Sequence, residues 1–331
     1  MFNQNLKLNT KLFDADVERT SIRKGFGEGL VLAADNDKNV VGLCADLNES
    51  SQMHLFAKKY PLRFVQVGVA EQNLVTVASG MAAMGKIPFT SSYAMFSPGR
   101  NWEQIRTTIA YNDRPVKIVG SHTGVSVGPD GGTHQAIEDI ALIRVLPNMI
   151  VLSPCDAIEA KKATLEAAKI NKPVYIRLAR EKTPIITTED TPFEIGKAQV
   201  FFNPPMTAQV GIVATGALIH NAILAAQNFS QKGIAVKVLN VSSIRPLDFE
   251  AIINLAKETG AIVSVEEHQV VGGLGSAVAE VLVQNHPVPM ELIGIHDKFG
   301  QSGTPLELIE HYGMGVSSIE KAIERVMGRK N

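Results

Sequence analysis

The sequence predicts an α/β protein made of two doubly wound, parallel-type sheet domains, and three observations predict it. Residues 40–45 are a continuous apolar run with the pattern of a strand buried on both faces, and further strand-like segments follow at 116–121 and 174–178. Segments with helical spacing separate these runs, so strand and helix alternate as in βαβ units. At 331 residues the chain exceeds the size at which a single core keeps growing. Residues 183–208, rich in Pro and Thr and without periodicity, are where it divides. The expected organisation is a first domain over 1–185, a linker over 186–207 and a second, smaller domain over 208–331.

Taken in order, residues 20–34 form a helix because Ile22, Phe26 and Leu30 recur at helical spacing, with Thr20 or Ser21 available as a cap and Arg23 near the start. The strand at 40–45 runs into Asp46, Leu47, Asn48, Glu49 and Ser50, which places Asp46 and Ser50 in a loop at a carboxyl edge. The strand at 64–67 breaks at Gly68 and delivers Glu71 to the mouth of a helix over 73–84, whose Ala78, Gly80, Ala82 and Ala83 suit close packing against another element. A strand at 87–91 continues into Tyr93 and Phe96. Pro98-Gly99 then turns the chain into a helix over 102–110. The strand at 116–121 opens onto a glycine-rich loop from His122 to His134. A helix over 136–144, a strand over 149–153, a helix over 157–170 and a strand over 174–178 lead to Arg180. Strands at 210–214, 236–241, 261–266 and 291–295 build the second domain. Its Gly272-Gly273-Leu274-Gly275 stretch lacks the G-x-G-x-x-G spacing of a dinucleotide site and reads as a plain glycine-rich turn.

The bulk properties exclude several classes of function. A net charge of -1 and a pI of about 6.7 give no general attraction to nucleic acid or to an anionic membrane, so any phosphate has to be met by a local cluster. Cys44 and Cys155 form no metal or redox spacing and sit in apolar contexts, which reads as buried reduced thiols and fits the cytoplasm. Residues 1–20 lack the apolar core of a signal peptide, and no 18-residue apolar run occurs, so a soluble intracellular protein is expected.

The chemistry gathers where strands end, which is where open α/β sheets bind ligands. Glu71 alone would be a first-turn acid favoured by the helix dipole. Its apolar surroundings make it a buried acid in need of a partner. Tyr93 and Phe96 are either core packing or a platform for a flat heterocycle. His122, Asp130 and His134, three ionisable groups in one glycine-rich loop, suit proton transfer and hydroxyl recognition better than a core. They lack the i, i+4 presentation of a helical zinc motif, and no metal site is expected in the chain. Arg23 and Arg180 are surface residues by default. Facing one sheet edge, they could clamp a phosphate, helped by a serine hydroxyl.

At these residues the chain resembles a known family. Gly68-Val69-Ala70-Glu71-Gln72-Asn73, Ser91 to Phe96, and Gly120-Ser121-His122 through Asp130-Gly131-Gly132-Thr133-His134-Gln135 together are similar to the pyrimidine-binding domain of transketolase. The likeness continues through residues 141–148 and Arg180, and the second half resembles the transketolase C-terminal domain. The resemblance implies that Glu71 bonds the aminopyrimidine ring nitrogen of thiamine diphosphate, that Phe96 stacks on that ring, that Tyr93 lines the same pocket and that Asp46 lies near the thiazolium. It further implies that His122 and Asp130 hold hydroxyls of the donor sugar and that His134, Ser50, Arg23 and Arg180 form the sugar-phosphate end. A complete transketolase also carries a domain whose Gly-Asp-Gly motif and following Asn hold Mg²⁺ and the cofactor's diphosphate, and this sequence contains no such segment. The resemblance therefore implies the C-terminal subunit of a split transketolase. Thiamine diphosphate would be shared with a separate N-terminal subunit that holds the Mg²⁺, in an α2β2 assembly acting on sugar phosphates. Two other readings stay open: a subunit of a related thiamine-diphosphate enzyme (1-deoxy-xylulose 5-phosphate synthase-like or 2-oxo acid dehydrogenase beta-like) and a non-catalytic scaffold of the same fold.

Overall fold

Apolar strands with no polar face have to be covered on both sides, and this chain covers them with helices. The structure, a computed structural model, describes residues 3–330. The first half contributes β1 (Arg19–Ser21), β2 (Val40–Cys44), β3 (Phe64–Gln66), β4 (Ile87–Tyr93), β5 (Lys117–Thr123), β6 (Ile150–Leu152), β7 (Val174–Ala179) and β8 (Lys182–Pro184). The second half contributes β9 (Gln199–Phe202), β10 (Val210–Ala214), β11 (Val236–Asn240), β12 (Ser243–Arg245), β13 (Ile262–Gln269) and β14 (Met290–Ile295). A seven-stranded sheet runs in the order β12-β6-β7-β5-β4-β2-β3 and a five-stranded sheet in the order β14-β13-β10-β11-β9. Each is parallel except for one antiparallel edge strand, β12 in the first and β9 in the second. The architecture is the expected α/β one.

Two cores flank the seven-stranded sheet. On one side Phe26 and Leu30 of the helix Ile22–Asn36 pack with Ala160 and Ala163 of the helix Ala157–Lys169. On the other, Leu74 and Ala78 of the helix Glu71–Ala83 pack with Ile105, Ile109, Ile140 and Ile143. The core on one side of the five-stranded sheet also takes in Val125 and Ile137 from the first half of the chain, so the halves share buried apolar surface. Cys44 and Cys155 are both buried and both free thiols.

Several elements differ from the expectation, for local reasons. The helix expected over 136–144 is confined to Asp139–Arg144. The backbone before it is engaged elsewhere: Gly124 donates to the carbonyl of Ala136 (2.8 Å) and Gln269 to that of Ile137 (2.9 Å). The helix expected over 102–110 is one α turn followed by a π-helical segment at Ile105–Ala110. Ser21 stands at the N-cap of its helix without capping it; its hydroxyl meets the carbonyl of Arg180 at 3.4 Å. Within residues 186–207, β9 joins the second sheet, and β12 crosses from the second half to pair with β6 of the first.

Candidate active site

Glu71 reaches its place through a turn. β3 ends at Gln66, Gly68 turns the chain at φ +73°, and the helix begins at Glu71 itself, two residues earlier than the pattern predicts. The carboxylate is buried, at 4% exposure. It is paired: Arg100 Nη1 donates to Oε2 at 3.1 Å, while Asn101 Nδ2 donates to the Glu71 carbonyl at 2.8 Å and to Ser97 Oγ at 3.1 Å. Arg100 also lays its guanidinium over Phe96, 4.3 Å from the ring centroid. Sequence reasoning missed Arg100 and Asn101. Their distance of about thirty residues from Glu71 hides the pairing.

Phe96, Tyr93, His122 and His134 form one group of rings. Tyr93 and Phe96 stack with centroids 5.9 Å apart, and Tyr93 and His122 stack at 3.7 Å. His134 stands edge-on to Tyr93 at 6.2 Å and to Phe96 at 5.4 Å. These contacts bring together four residues drawn from two strand ends and a loop. His122 takes a positive φ of 58° at the end of β5 and is buried. Burial, reinforced by Arg23, Arg180 and His134, pushes its pKa down to about 3, so the ring is neutral. Its Nε2 lies 3.5 Å from Arg23 Nη1 and its Nδ1 lies 3.1 Å from Ser121 Oγ. An arginine has only protons to offer, so the lone pair belongs on Nε2 and the ring proton on Nδ1, facing Ser121.

Beside His122, Arg23 Nη1 donates to the carbonyl of Ser50 and Nη2 to that of Arg180 (2.8 Å). The group of Ser50 that meets Arg23 is thus its carbonyl and not its hydroxyl. Burial and the neighbouring Arg180 lower the pKa of Arg23, and its Nε is buried without a partner. Arg180 Nη1 donates to the carbonyl of Val127 at 2.7 Å and to Glu181 at 3.2 Å. Arg23 and Arg180 therefore form one cationic corner beside the neutral ring of His122, which itself stacks on Tyr93. Asp46 and Asp130 are exposed. The backbone N–H of Asp46 is fixed by Gln66 Oε1 at 2.8 Å, and Asp130 stands at the tip of its loop.

Among the described residues, no three His, Cys, Asp or Glu side chains are placed to hold a metal ion, and no helix is long and apolar enough to cross a membrane. The second half's glycine-rich turn binds a side chain of its own: Glu266, buried, accepts from the N–H groups of Leu274 (2.7 Å) and Gly275 (2.8 Å) at the start of the following helix.

Comparison with known proteins identifies the family of both halves of the chain. Residues 18–185 match the family model described as the transketolase pyrimidine-binding domain, and residues 205–319 match that of the transketolase C-terminal domain. A putative transketolase C-terminal section of Methanocaldococcus jannaschii is 42% identical over 312 residues, covering 93% of this chain and 97% of its own. A 6-deoxy-6-sulfo-D-fructose transketolase subunit of a Clostridium species is 39% identical over 319 residues, covering 96% and 98%. A solved structure titled a split gene transketolase, inactive beta4 tetramer, superposes with a TM-score of 0.87 at 42% identity, covering 94% of this chain and 99% of that one.

Proposed function

The chain belongs to the transketolase family, as a C-terminal subunit of the split type, and we propose that with a separate N-terminal subunit it transfers a two-carbon ketol unit from a ketose phosphate to an aldose phosphate. The observation that carries this reading is Glu71, a buried carboxylate at a helix start, held by Arg100, whose guanidinium also lies over the ring of Phe96. That donor set fits the aminopyrimidine of thiamine diphosphate: an acid shielded from water for the ring nitrogen, and an aromatic face for the ring. The cofactor supplies the carbanion chemistry when bound.

The chain's own residues have separable tasks in this proposal. Glu71 holds the proton shared with the ring nitrogen, and its burial keeps that proton from exchanging with solvent water. Phe96 and Tyr93 fix the plane of the ring and exclude water beside it, with Asp46 near the thiazolium. His122, neutral, presents an Nε2 lone pair to a sugar hydroxyl, and Asp130 accepts from another. His134, Ser50, Arg23 and Arg180 form the phosphate end, where the partly buried guanidinium of Arg23 and the more exposed one of Arg180 can meet an anion together. Thiamine diphosphate is shared between subunits and its Mg²⁺ is held by the partner, in an α2β2 assembly. The solved relative that is titled an inactive tetramer of one chain supports the need for a partner. Residues 1–185 would act as the pyrimidine-binding domain and 208–331 as the C-terminal domain, joined by 186–207.

The sugar is left open by the family, since the Clostridium relative is named for a sulfonated ketose. The test is reconstitution. The purified chain with thiamine diphosphate and Mg²⁺ should show no turnover of xylulose 5-phosphate, and adding the N-terminal subunit should restore it. Turnover by the chain alone would sink the proposal.

A further inference from the structure

The loop from His122 to His134 is anchored in the second half of the chain. Val125, inside it, and Ile137, just after it, are buried in the core of the five-stranded sheet. The N–H of Ser126 donates to Glu267 Oε1 at 2.7 Å. Between these anchors lies a finer contact, made by the segment between β14 and the helix Pro305–His311. Ser302 Oγ donates to the carbonyl of Pro129 at 3.0 Å. A Cβ on Gly131 would lie 2.8 Å from that same hydroxyl oxygen, too close for any side chain. Ser302 thus brackets Asp130, bonded to the residue before it and packed under the residue after it. The buried side chain of Gln135 completes the clasp: its Nε2 donates to Val125 (3.0 Å) inside the loop and to Gln301 (2.9 Å) across the domain boundary. A Cβ on Gly300 would stand 1.7 Å from Gln135 Oε1, so only glycine fits there.

We propose that this strap, residues 300–305 of the second domain, is the positioning element of the substrate loop, with Ser302 and Gln135 setting where Asp130 and His134 stand and hence which sugar phosphate is accepted. This role for the C-terminal domain rests on the reading of residues 122–134 as the sugar-phosphate loop. The chemistry follows from spacing. Asp130 lies between the two Ser302 contacts, and His134 adjoins Gln135, so each ligand-facing residue has a neighbour pinned from across the boundary. The strap approaches neither Glu71 nor Phe96 in any contact described above, so it should act on sugar binding and leave the cofactor alone.

The experiment compares Ser302→Ala, Ser302→Thr and Gly300→Ala in the assembly reconstituted with the N-terminal subunit. It measures KM for xylulose 5-phosphate, the half-saturating concentration of thiamine diphosphate, and amide hydrogen exchange at residues 128–134. Ser302→Ala should raise KM about threefold to tenfold, the equivalent of one net hydrogen bond, with the cofactor half-saturation unchanged and exchange at Gly131 and His134 faster. Ser302→Thr should restore KM. Gly300→Ala, which drives a methyl against Gln135, should act in the same direction and more strongly; should it fail to fold, the exposed Ser302 still decides the matter. Unchanged KM in Ser302→Ala overturns the proposal, whether or not exchange accelerates, and so does a matching loss of cofactor affinity. No turnover by the unsubstituted assembly overturns the proposal together with the reading beneath it. The two failures are thereby told apart.

Discussion

At its carboxyl edge the seven-stranded sheet presents Tyr93, His122 and Arg180, with Glu71 beyond β3. The five-stranded sheet ends in Asn240, Glu266, Glu267 and His268. The second set is bonded within the fold, apart from Oδ1 of Asn240, which is buried without a partner. Glu266 accepts from Leu274 and Gly275, Glu267 from Ser126, and Asn240 Nδ2 donates to Glu159 at 2.8 Å, while His268 Nδ1 faces the carbonyl of Gln269 at 2.6 Å. The first set keeps capacity in hand. Arg100, which pairs with Glu71, is half exposed, and the hydroxyls of Ser91 and Ser92 and Nε of Arg23 are buried without partners. Two sheets of one architecture thus differ at the same edge: in the proposed reading the first receives ligands, while in the second Glu267 and Asn240 tie the halves together. A polar residue at a carboxyl edge becomes a site when its bonding groups are left free for something else.

The sharpest way to break this contrast is at Glu71. Glu71→Gln removes the acid and keeps the shape, so turnover of the reconstituted assembly should fall by about 10² to 10⁴, the range of a positioned proton-transfer group. Stability should barely move, because the ion pair it loses reaches a half-exposed Arg100 and pairs of that kind contribute less than about 1 kcal/mol. Denaturant unfolding of the isolated chain beside steady-state kinetics of the assembly checks both halves. A large loss of stability with little loss of turnover would make Glu71 a structural residue like Glu266.

Glu266→Gln should show the reverse. Its amide nitrogen would face an N–H donor at the helix start, leaving a buried group unpaired at a cost of about 1–3 kcal/mol, with turnover at saturating cofactor unchanged. The pH dependence adds a second mark. Burial raises the Glu266 pKa to about 7 from 4.5, so between those values the folded state binds more protons than the unfolded one. Its contribution to stability is fully present below 4.5 and is lost as pH rises through 7. Glu159, buried and also raised to about 7, contributes with the same sign. His122 and His268, both lowered by burial, act with the opposite sign over this window, so the test is a difference. From pH 4.5 to 7 the unfolding free energy of Glu266→Gln should fall less, or rise more, than that of the unsubstituted chain. An unaltered slope would mean that Glu266 is ionised and not as buried as its place beneath Gly275 requires.

Much of this was legible from the sequence because apolar runs such as 40–45 and 210–214 mark the two sheets, and the limits of β10 at Val210–Ala214 were read to the residue. Glu71, Tyr93 and His122 could be singled out because each stands at or just past the end of a strand, and Phe96 and His134 because they follow in the turn and the glycine-rich loop beyond. What escaped notice depended on pairing across long separations. The edge strands β9 and β12 are four and three residues long and carry no readable period; only their partners β11 and β6 make them strands. Arg100 looks like a surface arginine until the turn after Phe96 brings it onto Glu71. Lys117 opens β5 and is fully buried, its ammonium donating to the carbonyls of Ile170 and Lys172 at 2.7 Å each, and burial lowers its pKa to about 7. No local pattern announces a lysine in that position. Ser50 and Asp130 show the opposite limit, where residue type is legible and the orientation of the side chain is not.

The smallest expected effect is at His122, and it sharpens the comparison because its sign opposes that of Glu266. Burial first, then the charges of Arg23 and Arg180, lower the His122 pKa from 6.5 to about 3. Between those values the unfolded state binds the extra proton, so the contribution of His122 is present above pH 6.5 and is lost as pH falls toward 3. At one unit below 6.5 the difference amounts to about 1.4 kcal/mol. His268, lowered to about 4 by burial, has the same sign, so the measurement belongs on the ring itself. In NMR titrations of the isolated chain the His122 ring should show no midpoint between pH 5 and 8. Arg23→Met should move its midpoint upward by removing the nearest positive charge. A ring that titrates near 6.5 in the unsubstituted chain would mean that water reaches Nε2 past Arg23 and Tyr93. His122 would then meet a sugar hydroxyl partly as a charged donor, and the proposed phosphate end would lose the desolvation of Arg23 on which its strength rests.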